Sequence, residues 1–363
     1  SINLVSFFQV RRTNINMAGF HDQLLTDVIS DTFRAFSLPT KVKPLHLDDL
    51  WRQKIDDWEE SPGMPWKHYG YHTKGDVIRD PNALNSIKQF WRLVMDGQDV
   101  KLPFCVGKAH PHRVYKNRKT RPAMWGYPCA ASFMEACFAL PLIHAFHENN
   151  TPCAFRFHFN AGGSQPLFNR FHRYQNIVSL NYKSFQQSIP DWLIKIAFDV
   201  LATNINWQQF HGYTGTHNQR LYRVWRKLID YFLRAPTKFR NGTRYGNGKK
   251  GQNIGSGSYF SELIYTIVNF IVTQYCIRDQ NIDIDDHLVL GDESLVATGG
   301  EVDLSSLLSM AGRFNMIINI EGVQLNNQIG GTSFLGYVIN EMDPSAFVQH
   351  CNSPMGIMPP PQG

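Results

Sequence analysis

The chain has 363 residues, 43% hydrophobic and 13% aromatic, which is enough apolar surface for one large core or a few subdomains and excludes a disordered chain. A formal charge of +6, from 36 basic against 30 acidic residues, suits a polyanionic partner without requiring one. The six cysteines are scattered with no CxxC pair, which fits a reduced, intracellular setting with the cysteines as ordinary small core residues.

No leader with a basic end and apolar middle is present, and no apolar run reaches the ~18 residues that suggest a membrane span. The longest candidate, Leu263 to Ile277, is interrupted by Tyr265, Thr266, Asn269, Thr273 and Gln274. The expectation is a cytoplasmic protein with no membrane partner. The first residue is Ser1 rather than methionine, which fits a fragment or a reading frame cut from something longer.

Taken in chain order, the apolar residues Leu24, Leu25, Val28, Ile29, Phe33 and Phe36 predict a packing helix from Asp22 to Phe36 that ends near Pro39. In SPGMPW, Ser61 to Trp66, Gly63 and two prolines predict a tightly turned loop with outward backbone amides. Asn82 to Met95 again has a helical pattern. In the basic stretch Arg113 to Pro128, Lys116, Arg118, Lys119 and Arg121 interleave with Tyr115 and Trp125. Alternating cations on a strand share one side, which suits a triphosphate or an RNA backbone and equally a solvated face.

Asn160 to Gln165 reads as a turn, and Ile177, Val178 and Leu180 as a short buried strand. Pro190 followed by Trp192, Leu193, Ile196, Ala197, Val200 and Leu201 predicts a helix, so Asn181 to Gln187 forms the connecting loop. Residues 207–250 read as polar, basic and turn-rich. Within them GNGKKG has neither the preceding strand nor the later acid of a dinucleotide site, and the Walker pattern fails because its first glycine falls on Thr243. GSGSYF, Gly255 to Phe260, leads into SELIYTIVNFIVTQY, apolar on most sides and expected to be a buried helix. No serine there sits centrally in GxSxG, which excludes a nucleophile elbow. His68, His72, His110 and His112 match no zinc spacing.

LVLGDESLVA predicts a β-hairpin with Gly291 to Glu293 at its tip. Leu304 to Phe314 is expected to be helical, Met316 to Ile320 a strand, Thr332 to Ile339 another strand, and the tail MGIMPPPQG disordered. No internal repeat appears, and no linker divides independent domains.

An SxGxP turn, a basic KxRP stretch, a strand with a polar end and helix, a GSGS loop with helix, a GDE hairpin and an FLG strand occur in that order over residues 40–340. This series resembles viral RNA-directed RNA polymerases, most closely those of the partitiviruses. The resemblance implies an α+β right-hand polymerase fold, with fingers and a palm whose antiparallel sheet has flanking helices, and with a missing or truncated thumb. It divides the chain into an N-terminal extension (1–40), fingers (41–175), first palm part (176–206), fingers insertion (207–250), second palm part (251–340) and tail (341–363).

It also implies that Ser61, Gly63 and Pro65 line the template path, that Lys119 and Arg121 contact the incoming triphosphate, and that Ser256 and Asn269 recognise the ribose 2′-hydroxyl. Phe334 to Tyr337 are placed near the primer grip, and Asp292 and Glu293 at Mg²⁺ or Mn²⁺. The implied partners are RNA template and product, nucleoside triphosphates and, for a viral chain, capsid protein within the particle.

Nucleotidyl transfer in such enzymes uses two metal ions about 4 Å apart, held by carboxylates arriving from two strands. Here the sequence departs from the pattern. The family's first palm motif carries aspartates where this chain has Asn181 and Gln186, although Phe185 and Pro190 are in place. Glu293 stands where a second aspartate is usual, and Lys183 adds a positive charge nearby. Catalysis is therefore expected to be impaired, with a catalytically silent, virus-derived polymerase fold that at most binds RNA as the alternative.

Overall fold

The computed structural model describes residues 22–53, 56–108, 124–157, 164–215, 218–239, 244–245 and 257–340. Lys119, Arg121, Ser256, GNGKKG and the C-terminal tail lie outside these residues. The strands in chain order are β1 (Cys105–Lys108), β2 (Met124–Gly126), β3 (Ile177–Lys183), β4 (Thr237–Phe239), β5 (Arg244–Tyr245) and β6 (Ile284–Leu290). They continue with β7 (Glu293–Thr298), β8 (Ile317–Ile318), β9 (Gln324–Asn326), β10 (Ser333–Phe334) and β11 (Tyr337–Val338). The chain forms two compact units, one of residues 1–40, 144–204 and 262–353, the other of 41–143, 205–261 and 354–363. Each unit is assembled from separated stretches, which explains why no linker composition marks a boundary.

The first unit is built on an antiparallel sheet in the order β6-β7-β3-β8, with β9 also paired to β3. Opposed residues of antiparallel strands point to the same side, and successive residues to opposite sides. Ile177, Leu288, Leu295 and Ala297 therefore share one face, which packs with Phe334, Tyr337 and Ile339. Tyr182, His287 and Ser294 point to the other face, where their polar groups meet the Ser261–Arg278 helix. That helix is buried on nearly all sides, as its uniform apolarity predicts. The expected helices from Asp22 and after Pro190 appear as Gln23–Ala35, capped by Asp22, and Asp191–Thr203.

Two expectations for this unit change. Asn181 to Lys183 continue strand β3 instead of forming a loop, and a single helical turn, Phe185–Ser188, follows Ser184 in a left-handed conformation. Thr332 to Ile339 is a hairpin, because Leu335 and Gly336 both adopt positive φ and reverse the chain between β10 and β11.

In the second unit, β2-β1-β4-β5 form a small sheet. The stretch read as a basic loop contains a 17-residue helix, Asn218–Arg234, whose buried Leu221, Val224, Trp225, Leu228 and Phe232 follow helical spacing. Its cations have local partners. Arg220 pairs with Asp96, Lys227 with Asp99 at 3.1 Å and Arg234 with Asp230 at 2.7 Å, while Arg223 donates to the Met95 carbonyl at 2.8 Å.

The 20-residue helix Cys129–Glu148 is long and apolar enough to cross a membrane, contrary to the expectation that no such stretch exists. Most of it is buried inside the protein, as in the core helix of a globular fold. Pro141 sits within it and has no N–H to give the Cys137 carbonyl one turn earlier. The Leu45 N–H donates to that carbonyl at 2.8 Å, so the missing helical bond is replaced from another segment.

Asn204 ends the Asp191–Thr203 helix and is buried. Its side chain accepts from the Leu38 N–H at 2.8 Å and donates to the carbonyls of Phe36 at 2.9 Å and Val200 at 3.2 Å. Asn204→Ala strands a buried donor and acceptor, and is expected to destabilise the protein by about 2–3 kcal/mol in denaturant unfolding.

Candidate active site

The hairpin tip between β6 and β7 is held by the Ser261–Arg278 helix. The Gly291 N–H donates to Thr266 Oγ1 at 2.9 Å, and the Gly291 carbonyl accepts from Asn269 Nδ2 at 3.1 Å. Asn269 is fully buried, and its Oδ1 accepts from Ser294 Oγ at 2.8 Å and Thr273 Oγ1 at 2.9 Å. Since the Thr273 proton is directed at Asn269, Tyr182 Oη donates to Thr273 Oγ1 at 3.0 Å. Since the Ser294 proton is directed there too, His287 carries its proton on Nε2 and donates to Ser294 at 3.2 Å, and its Nδ1 accepts from Gln274 at 3.2 Å. Burial, with Arg170 nearby, depresses the His287 pKa to about 3 and keeps the ring neutral, stacked on Phe270. Asn269 thus orients the hairpin from beneath, and the described structure shows no exposed surface on it for a ribose contact.

Gly291 has φ +57°, a conformation that costs other residues about 1–2 kcal/mol. A Cβ there would lie 2.8 Å from the Glu262 carboxylate. Three acids therefore gather at the tip. Burial raises the pKa of both Asp292 and Glu293, and it pushes Glu262 up to about 7, with the charges of Asp292 and Glu293 adding to the effect. Glu262 escaped the sequence reading because it lies in the first turn of a helix, where an acid is ordinary. Glu293 Oε2 accepts from the Leu335 N–H at 2.6 Å, so this carboxylate ties the FLG turn to the hairpin.

Asn181 stands directly opposite Glu293 in the β3–β7 ladder. Its Oδ1 is buried without a hydrogen-bond partner, 2.6 Å from where a Cβ on Gly322 would lie, and its backbone carbonyl accepts from the Asn319 N–H at 2.8 Å. Lys183, two residues on and on the same face, is exposed, as is Gln186 on the following helical turn.

The fit to a pair of divalent ions follows from these donors. Asp292 contributes a carboxylate, Glu293 has one oxygen engaged by Leu335, and β3 contributes only the neutral, unpartnered Asn181 oxygen. Among the described residues no group of three acidic, histidine or cysteine side chains is arranged to hold a metal ion. The residues present do not fit a two-ion site.

Ser61, Gly63 and Pro65 belong to the other unit. Gly63 has φ +68°, and a Cβ there would lie 2.4 Å from the Tyr127 carbonyl oxygen, so the SPGMPW turn requires glycine at this position.

Glu293→Asp, one methylene shorter, should lose its bond to Leu335. The expected result is about 1 kcal/mol lower stability in thermal unfolding and at least tenfold faster hydrogen exchange of the Leu335 amide.

The viral RNA-dependent RNA polymerase family model matches residues 32–358. The RNA-directed RNA polymerase of Cryptosporidium parvum virus 1 (strain KSU-1) is 32% identical over 133 residues, which is 36% of this chain and 23% of that protein. The chain thus covers less than a quarter of the length of that relative. With the family model extending over most of the sequence and an antiparallel sheet presenting an acidic hairpin, the chain belongs to the viral RNA-dependent RNA polymerase family.

Proposed function

We propose that the chain is a partitivirus-like RNA-directed RNA polymerase in which template-directed nucleotidyl transfer is impaired. The observation that carries this reading is the β3–β7 register, which sets a neutral Asn181 opposite Glu293 where the family motif has an aspartate. In this reading the unit containing the hairpin is the palm and the other unit supplies the fingers. The domain divisions expected from the resemblance are adopted with two changes, residues 144–175 going with the palm and 251–261 with the fingers.

RNA template and nucleoside triphosphates are the proposed substrates. Lys119 and Arg121 are assigned to the triphosphate, Ser256 to the ribose, and Ser61, Gly63 and Pro65 to the template path. Asn269 is assigned to holding the hairpin, consistent with its bond to Gly291. Asp292 and Glu293 remain the acids of the reaction centre, and the loss of charge at Asn181 and Gln186 weakens any hold on Mg²⁺ or Mn²⁺. One unit charge at about 4 Å in an effective dielectric of about 20 is worth roughly 4 kcal/mol before solvation offsets it. Lost from the transition state, ~4 kcal/mol slows a reaction about a thousandfold.

The test is primer extension on an RNA template with Mg²⁺ or Mn²⁺, comparing wild type with Asn181→Asp/Gln186→Asp. The double variant is expected to extend at least a hundredfold faster. Extension by the double variant alone, with none by wild type, identifies the silent alternative, and equal rates overturn the assignment of impairment to these two positions.

A stability measurement gives an independent check. In EDTA, the aspartate introduced at position 181 would face Glu293 and place like charges about 5 Å apart. After solvent screening this is expected to destabilise the double variant by about 1 kcal/mol, and Mn²⁺ should restore the loss in thermal unfolding.

A further inference from the structure

The helix Cys129–Glu148 buries one acid, Glu135, completely, between the buried apolar residues Phe133, Met134, Ala136 and Phe138. A carboxylate only accepts hydrogen bonds, and it is costly in such a place unless donors converge on it. Here they do. Tyr127 Oη donates to Oε1, the Tyr259 N–H donates to Oε2 at 3.1 Å, and the Ser258 hydroxyl also bonds to the carboxylate. Tyr127 and Ser258 are themselves buried.

Through Tyr127 the contact extends to the SPGMPW turn. Gly63 closely approaches the Tyr127 carbonyl, and the Cys129 N–H donates to the Pro62 carbonyl at 2.8 Å. Through Ser258 and Tyr259 it fixes the turn that leads to Phe260, whose ring meets Trp225 edge-on at 5.2 Å. All of these residues lie within one unit.

We propose that Glu135 is a positioning residue for nucleotide selection: its carboxylate clamps the Ser258–Phe260 turn, which follows in sequence the Ser256 assigned to the ribose, to Tyr127 and so sets that turn relative to the SPGMPW segment. This inference rests on the polymerase reading for its nucleotide, while the clamp stands on the hydrogen bonds.

The charge state of Glu135 gives the clamp a pH dependence. Burial pushes its pKa up to about 7, against the opposing pull of its hydrogen bonds and of Lys74. Among the other groups facing it, burial raises Tyr127, Tyr231 and Cys105 away from neutrality, and the Lys74 ammonium is ion-paired with Glu60 at 3.1 Å. A carboxyl whose pKa rises on folding takes up a proton in the folded state, so global stability should fall as pH rises from the ordinary value of 4.5 through about 7. The clamp itself should tighten over the upper part of that range, because a carboxylate is a stronger acceptor than a carboxylic acid.

The experiment compares the full chain with Glu135→Gln, using amide exchange across residues 257–261 and binding of fluorescent ATP against its 2′-deoxy analogue at pH 6 and pH 8. The expected result for E135Q is at least tenfold faster exchange in that segment, with exchange in the β6–β7 hairpin unchanged. Its preference for ATP should also fall severalfold and be the same at both pH values, whereas wild type discriminates better at pH 8. Unchanged exchange at 257–261 overturns the clamp. Faster exchange with undiminished, pH-dependent discrimination overturns the selection role.

A wild type that binds neither nucleotide overturns the polymerase reading and the selection role with it, while the exchange arm still decides the clamp. Should E135Q fail to fold, Tyr127→Phe removes one donor and leaves the carboxylate in place. It is expected to shift exchange and discrimination in the same direction by a smaller factor, and no shift in either overturns the proposal.

Discussion

The hairpin that defines this chain depends on one buried amide. Asn269 donates to the Gly291 carbonyl and accepts from Ser294 and Thr273, so a single side chain fixes both the turn and the strand that leaves it. In a low-dielectric interior such a network is strong when fully satisfied and costly when broken. The protons run in one consistent direction, from Tyr182 through Thr273 to Asn269 and from His287 through Ser294 to the same oxygen. A neutral His287 completes the arrangement, since a charged ring at this depth would require an anion that its partners do not provide.

This arrangement places the support of the hairpin on one face of the sheet. The period of two along β3 and β7 separates the work of holding from the work of chemistry. Tyr182 and Ser294 face the helix and are locked by the network, while Asn181 and Glu293 lie opposite one another on the other face. Substitution on that face leaves every bond of the network intact. Glu293 is the exception, because its carboxylate also holds Leu335 at the FLG turn, which gives that side chain a structural use besides any chemical one.

The sequence was informative where periodicity was clear and less so where local features concealed it. The GDE hairpin and the helices after Asp22 and Pro190 follow from alternation, caps and apolar spacing, and the structure shows them close to the expected bounds. The Asn218–Arg234 helix was obscured because its cations drew attention as a patch, although Leu221, Val224, Trp225, Leu228 and Phe232 carry its period. Cys129–Glu148 is apolar all round and therefore shows no period at all. The FLG reversal depends on a leucine at positive φ, a conformation that leucine does not advertise. At the site, Asp292 and Glu293 were legible as the acidic tip of a hairpin. Glu262 and Glu135 were not, because what distinguishes them is burial and convergence of partners from distant parts of the chain.

Carboxylates that serve metal ions repel one another when the ions are absent, so their removal need not weaken a fold. At the hairpin tip burial pushes the Glu262 pKa up to about 7, and the charges of Asp292 and Glu293 add to the effect. An aspartate at position 181 would add a further charge opposite Glu293 in the β3–β7 ladder. With no bound cation, asparagine there preserves the side-chain shape and removes that repulsion, leaving one unpartnered oxygen. On electrostatic grounds alone, the neutral residue at this position therefore costs the fold less than a charged one.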